Sequence, residues 1–248
     1  MARTALGKRK RTPTRSSSTQ KALKAQVARL MRIRQEKKYA EIAVTGNVGQ
    51  VDGSSDGALI SAITPSIAQG DGEGQRIGNS ITATGLIVKQ QLVKQENGVG
   101  PRRIRTHVVR VLDPGMTGAQ VLTAVLDDNP LSGVRDYFSS LNYTMMSDKR
   151  VQLLGTAETK LMSNYDDNMV QVNERSTADL SIPVKFSEQT IRYNASGDST
   201  PAAIRYFMIT LCDNGNIAGT ASGAAVFVPT ASSGCESKAY ARLWYTDS

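Results

Sequence analysis

The stretch 70–78, GDGEGQRIG, and the segment after it decide between two classes of fold. Four glycines beside an arginine are typical of a phosphate-binding loop, but a dinucleotide loop needs the spacing G-x-G-x-x-G and a helix directly after it. Here Gly72 and Gly74 are followed by Gly78, one residue too late. The next residues, 79–88, NSITATGLIV, are rich in β-branched side chains and predict a strand. The stretch therefore predicts a turn that enters a β-strand.

Most of the chain after residue 38 has the pattern of β-structure. Alternation is clearest in 204–211, IRYFMITL, and in 239–245, AYARLWY. A short helix is predicted over Gly118–Leu126, with Thr117 as its N-cap. Turn-forming clusters separate eight predicted strands, which are Tyr39–Thr45, Ala58–Ile67, Ile81–Val93, Ile104–Leu112, Arg150–Leu161, Ser176–Phe186, Ile204–Cys212 and Ala239–Tyr245. This pattern predicts an all-β fold, either a two-sheet β-sandwich or a jelly roll.

Charge divides the chain into two parts. Residues 1–38 hold 13 of the 30 Lys and Arg residues and one of the 22 acidic residues, a net charge of +12, so residues 39–248 carry −4. Such asymmetry predicts a polyanion-binding arm on a separate folded domain. The candidate nucleic-acid-binding residues are Arg3, Lys8, Arg9, Lys10, Arg11, Arg15, Lys21, Lys24, Arg29 and Arg32.

The basic arm itself has two parts. Residues 1–16 have almost nothing to bury, and the KRKR run at 8–11 predicts a nucleic-acid arm that can also act as a nuclear localisation signal. The segment from about residue 18 to residue 38 predicts an amphipathic helix. Its apolar stripe runs from Leu23 to Met31, and its opposite face is basic. The narrow stripe lacks Trp and Phe, which favours packing against the chain's own body or a neighbouring subunit over a membrane surface.

Catalytic chemistry is sparse in this sequence. The single histidine, His107, lies within a predicted strand, where a packed or surface residue is the ordinary interpretation. Carboxylate pairs at 127–128 and 166–167 each precede an asparagine, which is typical of turns. Cys212 and Cys235 lack metal-site spacing, and two free thiols are favoured over one disulfide. We expect a non-enzyme that is made in the cytosol without a signal peptide or a membrane-spanning segment.

Several short stretches also occur in an order that is typical of one protein family. In chain order they are EKKYA (36–40), IAQGD (67–71), QRIGN (75–79), VVRVLD (108–113), VL (121–122), DKRVQLL (148–154) and WYTD (244–247). In these features the chain resembles the single-jelly-roll capsid proteins of the satellite tobacco necrosis virus type, as also found in small circular Rep-encoding single-stranded DNA viruses. The QGD and QRIG segments are the most specific part, and the resemblance covers about residues 20–248.

The resemblance implies an eight-stranded single jelly roll with a basic N-terminal arm and a short amphipathic helix. It implies a coat protein that assembles into an icosahedral shell and packages a single-stranded DNA or RNA genome through its arm. Because the body is close to the size of a bare shell domain, we expect a T=1 shell of roughly 60 copies. The expected partners are further copies of the chain, the genome and an unidentified host receptor, with no membrane. The expected location is the virion, after synthesis in the host cytoplasm, and the 8–11 cluster leaves nuclear import open.

In satellite viruses of this type, calcium ions bind between subunits near the GDGEGQRIG turn and near the C-terminus. The resemblance therefore implies Asp71 and Asp247 as calcium ligands, with the backbone carbonyls of Ile77 and Ser80 as co-ligands. The alternative is a turn acid and a C-terminal acid that hold no metal, and no cofactor is required. Arg76 is expected to pair with a carboxylate across the same subunit contact.

Two other functions remain open. One is a cellular nucleic-acid-binding protein with a basic tail on a β-sandwich, which would need a basic or aromatic face on its body. The net charge of −4 on residues 39–248 and an aromatic content of 5% argue against it. The other is a sugar-binding or hydrolytic β-sandwich enzyme, whose activity would not depend on the arm. Neither accounts for the order of the matched stretches.

Overall fold

The structure of the protein is a computed structural model that divides into two compact units, Met1–Glu36 and Lys37–Ser248. In the first unit, residues 20–24 and 26–27 are helical, within the range where the sequence predicts a helix. Lys38, at the end of that range, is already part of a strand. The residues that the structure describes are 20–24, 26–27, 37–48, 58–94, 102–113, 115–128, 130, 135, 137–161, 177–195, 197–212 and 235–247.

The second unit is an antiparallel sandwich of two sheets. Its strands are β1 (Lys38–Val48), β2 (Ala58–Ala62), β3 (Ser80–Lys94), β4 (Arg102–Val111), β5 (Val151–Leu161), β6 (Thr177–Ile182), β7 (Gln189–Arg192), β8 (Arg205–Cys212) and β9 (Cys235–Asp247). The first sheet has the order β1-β9-β3-β6, with β7 also paired to β3, and the second has the order β2-β8-β4-β5. Because β6 and β7 pair with successive parts of β3, they are two halves of one strand. The resulting eight-strand order is that of a single jelly roll, so the predicted fold is confirmed.

One predicted strand ends early, and the strand after it was not predicted. The sequence predicts a strand over Ser176–Phe186, but β6 ends at Ile182 and pairing resumes only at Gln189, beyond the predicted range. Pro183 follows β6, and proline has no N–H to donate to a neighbouring strand. The chain then turns to the second sheet, where the Lys185 N–H donates to the Leu154 carbonyl at 2.8 Å. A bulge in β3 between Ala83 and Gly85 lies near the same interruption.

Two short helices belong to this unit: α1 (Gly118–Val125) and α2 (Tyr143–Asp148). The prediction of α1 is confirmed, because the Thr117 side chain accepts from the Gln120 N–H while the Gln120 side chain accepts from the Thr117 N–H. The sequence did not reveal α2, which has only 6 residues and therefore shows too little periodicity. In the described part of the chain, no helix is long and apolar enough to cross a membrane.

The second sheet is covered on its inner face and on part of its outer face. Its inner face packs against the first sheet, through residues such as Val108 and Met208. Its outer face packs under α1 and α2, where Phe207 and Ile209 contact residues such as Val121. The first sheet differs, because its inner residues are buried while outer residues of β1 and β3 remain exposed. The outer face of the first sheet is therefore the open face of the sandwich.

A buried polar network joins the two sheets inside the sandwich. Gln90 of β3 is 2% exposed and donates to Thr210 Oγ1 at 2.9 Å and to Ser237 Oγ at 2.7 Å. Thr106 Oγ1 donates to Gln90 Oε1 at 2.8 Å. Gln90 and Ser237 belong to the first sheet, whereas Thr106 and Thr210 belong to the second. Buried polar groups must find such partners, so the network fixes how the sheets face each other.

Replacing Gln90 by methionine keeps the side-chain volume but removes the partner of three buried hydroxyl groups. We expect Gln90→Met to lower the free energy of unfolding by about 2–4 kcal/mol, measured by chemical denaturation. The matched control is Gln91→Met, because Gln91 is exposed on the other face of the same strand. Equal effects of the two substitutions would show that the network does not stabilise the sandwich.

Candidate functional site

The GDGEGQRIG segment forms a closed turn before β3. The Arg76 N–H donates to the Ala68 carbonyl at 2.9 Å, and the Gly70 N–H donates to the Arg76 carbonyl at 3.0 Å. The Gln75 side chain fills the turn, since its Oε1 accepts from the Gly72 N–H at 2.9 Å. A Cβ at Gly70 would lie 2.1 Å from this oxygen. Gly74 has a φ of 73°, which side chains other than glycine rarely adopt. The prediction of a turn that enters a strand is confirmed.

Arg76 anchors this turn to the segment that follows β7. Its side chain is fully buried, donates to the Gly78 carbonyl, and donates to the carbonyls of Ala195 at 3.0 Å and Asp198 at 2.7 Å. The guanidinium also lies over the Tyr193 ring, 4.1 Å from its centre. The expectation that Arg76 pairs with a carboxylate of a neighbouring subunit is wrong, because its own subunit encloses it.

A second contact holds the turn from the other side. Lys38 Nζ lies 2.9 Å from Asp247 Oδ2 and donates to the Gln75 carbonyl at 2.9 Å. Asp247 Oδ1 accepts from the Ile77 N–H at 3.1 Å. The Lys38 side chain is only 7% exposed and that of Asp247 is 22% exposed. This Lys38–Asp247 junction joins the first residue of β1, the last residue of β9 and the turn. Sequence reasoning counted Lys38 with the arm and missed its role.

The geometry within one subunit bears on the predicted calcium ligands. Asp71 is exposed in the turn, whereas Asp247 Oδ2 is paired with the Lys38 ammonium and Asp247 Oδ1 accepts a hydrogen bond from the Ile77 N–H. The Ile77 carbonyl accepts from Gln69 Nε2 at 2.8 Å. An ammonium partner on Asp247 and a hydrogen-bonded carbonyl do not fit a calcium site built from one subunit. Among the residues that the structure describes, no group of three His, Cys, Asp or Glu side chains is placed to hold a metal.

Calcium shared between subunits therefore stays a prediction that requires oxygens from a second copy. Ser80, whose carbonyl the resemblance adds to the ligand set, lies opposite Arg192 at the start of β3.

The predicted nucleic-acid-binding cations lie in the first unit. Lys21 and Lys24 belong to the described helical residues and are exposed to solvent. The other members of the set lie outside the described residues: Arg3, Lys8, Arg9, Lys10, Arg11, Arg15, Arg29 and Arg32. Their role remains a prediction.

The remaining reactive side chains are buried. His107 lies in β4 with 2% exposure, and its Nδ1 is 2.9 Å from Thr156 Oγ1. Burial, with a smaller contribution from the Arg105 charge, lowers the pKa of His107 to about 4. The imidazole is therefore neutral at physiological pH, and the interpretation of a packed strand residue is confirmed. Cys212 and Cys235 are both buried thiols that are not joined by a disulfide, as expected.

Comparisons with known proteins add little. No protein-family model and no curated protein match the chain. One solved structure to which the chain is similar is titled Desmodium yellow mottle tymovirus. The two share 9% sequence identity, over 86% of this chain and 88% of that one, with a TM-score of 0.33. A score of this size is too low to support an argument, so the fold class rests on the strand order itself.

Asp247→Asn should destabilise the sandwich, because it leaves the buried Lys38 ammonium without its carboxylate. We expect the free energy of unfolding to fall by about 1–3 kcal/mol in chemical denaturation. The matched control is Glu158→Gln, which breaks an exposed pair with Arg105. That substitution should cost at most about 1 kcal/mol. If both variants lost the same free energy of unfolding, the Lys38–Asp247 pair would contribute no more to stability than an exposed pair.

Acid should weaken the fold through His107. Its pKa is about 4 when folded and 6.5 when unfolded, so the unfolded chain binds the proton more tightly. The stability that depends on neutral His107 is complete above pH 6.5 and is lost as the pH falls towards 4. Between about pH 7 and pH 4.5, His107→Gln should lose about 2–3 kcal/mol less than the unmodified protein, measured by denaturation. Parallel losses in the two proteins would contradict this assignment.

Proposed function

We propose that the chain is the coat protein of a small virus, in which the second unit, Lys37–Ser248, forms the wall of an icosahedral shell and the basic segment before it packages a single-stranded genome. The observation that carries the proposal is a jelly-roll strand order joined, at its first strand, to a segment with a net charge of +12. Jelly rolls serve viral capsids, lectins and cupins. A strongly cationic arm supports the first of these, since a genome is a polyanion.

Packaging in this proposal is electrostatic. Lys and Arg side chains of the arm neutralise phosphates and release counterions, which gives affinity without sequence recognition and makes assembly sensitive to salt. A T=1 shell of roughly 60 arms would neutralise roughly a kilobase of single strand. The proposed mechanism is thus assembly rather than catalysis, and the proposed location is the virion.

The junction described above supports this arrangement mechanically. Lys38 is the first residue of β1, and its ammonium is held by Asp247 and by the Gln75 carbonyl. The arm therefore continues, along the chain, from a fixed point of the sandwich. Repeated in every copy of a symmetric shell, such a fixed point would start every arm from an equivalent position.

Sedimentation of the purified full-length chain tests the proposal, with ultraviolet absorbance used to separate nucleic acid from protein. We expect a megadalton species that carries nuclease-protected nucleic acid, and digestion of the extracted strand with RNase or DNase would identify the genome type. A small species at low and moderate salt, with and without calcium and added nucleic acid, would contradict a capsid and favour the cellular binding protein.

The role of the arm needs a variant that leaves the Lys38–Asp247 junction intact. A variant with glutamine in place of Lys8, Arg9, Lys10 and Arg11 should package less nucleic acid and show weaker salt-dependent binding. Its sandwich should still fold. A matched control removes the same charge from exposed body residues, namely Arg103, Lys149, Lys160 and Lys185. Equal packaging by the two variants would refute the arm hypothesis.

A further inference from the structure

The open outer face of the first sheet carries a cluster of aromatic side chains around one arginine. Tyr39 of β1 lies directly opposite Trp244 of β9, and their ring centres are 5.2 Å apart. Tyr240 and Arg242 project from the same face, because alternate residues of β9 point outwards while Ala241, among others, points into the core. We call Tyr39, Tyr240, Arg242 and Trp244 the aromatic platform.

Arg242 holds the platform together. Its guanidinium lies 4.7 Å from the centre of the Tyr39 ring, 5.5 Å from that of Trp244 and 5.6 Å from that of Tyr240. Its Nη2 lies 2.5 Å from Glu41 Oε1, and its Nε donates to the Tyr240 hydroxyl at 2.8 Å. The rings are thus held in place by one cation rather than left to rotate freely.

The platform is accessible from solvent. Tyr39 is 38% exposed, and Ile87, which lies beside Arg242 on β3, is 41% exposed. The residue opposite Trp244 on β3 is Gly85, whose added Cβ would sit 3.7 Å from Trp244 Cδ1. Gly85 lies at the bulge of β3 and places no side chain beside the half-buried indole. The only tryptophan of the chain therefore lies on an open face instead of in the core.

An exposed lysine lies beside the platform. Lys89 is exposed directly beside Tyr240, and Lys238 is exposed two residues along β9. The acids of the same face are each engaged by a neighbour: Glu41 by Arg242, Glu236 by Lys238 and Asp179 by Gln91. Arg242 and Lys238 are thus already paired with acids, and Lys89 supplies the positive charge beside the rings. A phosphate would be attracted to Lys89, next to the partly exposed rings.

We propose that the aromatic platform, together with Lys89, is a base-stacking site for single-stranded nucleic acid on the shell domain. Every base has a flat face that can stack on Tyr or Trp, and cations beside the rings hold the phosphates, so the site is tolerant of sequence. Tyr39 follows in the chain on the basic segment, so a strand bound by the arm is tethered to the same chain that carries the platform. The inference rests on the proposed packaging function and adds to it a second, non-electrostatic contact.

Trp244 provides a direct readout, because it is the only tryptophan in the chain. Labelled oligothymidylate and an abasic oligomer with the same number of phosphates are each added to the full-length protein, at moderate and at high salt. Anisotropy of the label reports binding, and tryptophan fluorescence reports stacking on Trp244. Both oligomers should bind at moderate salt, but only oligothymidylate should quench the fluorescence and stay bound at high salt.

The outcomes separate the two proposals. Binding of both oligomers without base-dependent quenching would overturn the stacking site and leave the arm hypothesis standing. If neither oligomer binds, nucleic-acid packaging itself fails, and the stacking site fails with it. Quenching on assembly of the protein alone, unchanged by oligothymidylate, would mean that the platform is a contact between copies of the chain, which also overturns the proposal.

Substitutions locate the effect. Tyr240→Leu keeps an apolar side chain but removes the stacking ring, and should weaken oligothymidylate binding at high salt by about five-fold or more. It should leave abasic-oligomer binding unchanged. The matched control is Tyr143→Leu, which removes a 68% exposed ring of α2 far along the sequence from the platform. Equal losses in both variants, in proteins with unchanged thermal unfolding, would refute the assignment.

Discussion

The pairing of β9 with two neighbours along its length is the constraint on which the rest of the sandwich depends. Residues 235–247 pair with β1 on one side and with β3 on the other. Because successive side chains of a strand point to opposite faces, this pairing determines both faces at once. Ala239, Ala241 and Leu243 enter the core, while Tyr240, Arg242 and Trp244 form the platform. If the pairing shifted by one residue, the core residues would face solvent and the platform residues would face the core. Burial of the core therefore strongly favours the observed pairing.

The end of β9 couples this sheet to the candidate site. Asp247 reaches both Lys38 at the start of β1 and the Ile77 N–H in the turn before β3. The turn is held from its other side by Arg76, buried beneath Tyr193. The base of the proposed genome-binding arm, the C-terminal strand and the glycine-rich turn are thus one connected piece. A mutation in any of them should disturb the others, since the contacts share donors and acceptors.

The two sheets have different roles in the proposed function. In the second sheet, β8 is buried on both faces, between the first sheet and the two helices, and it is accordingly almost wholly apolar. The first sheet is buried on one face only and presents its platform to solvent. In a shell that packages nucleic acid, an arm that neutralises phosphates and a sheet that stacks bases would act on different parts of the same strand.

The sequence alone determined most of the strands but not β7, and it also determined the α1 helix, the turn and the separation of a basic segment from an acidic body. Alternation, turn residues and charge are local properties. Alternation in AYARLWY also placed Tyr240, Arg242 and Trp244 on one face, but could not say which face was outside or that Tyr39 would join them. Burial of Arg76 and the Lys38–Asp247 pair were equally invisible. These contacts join residues far apart in the chain, and only the pairing of β9 with β1 and β3 brings them within reach.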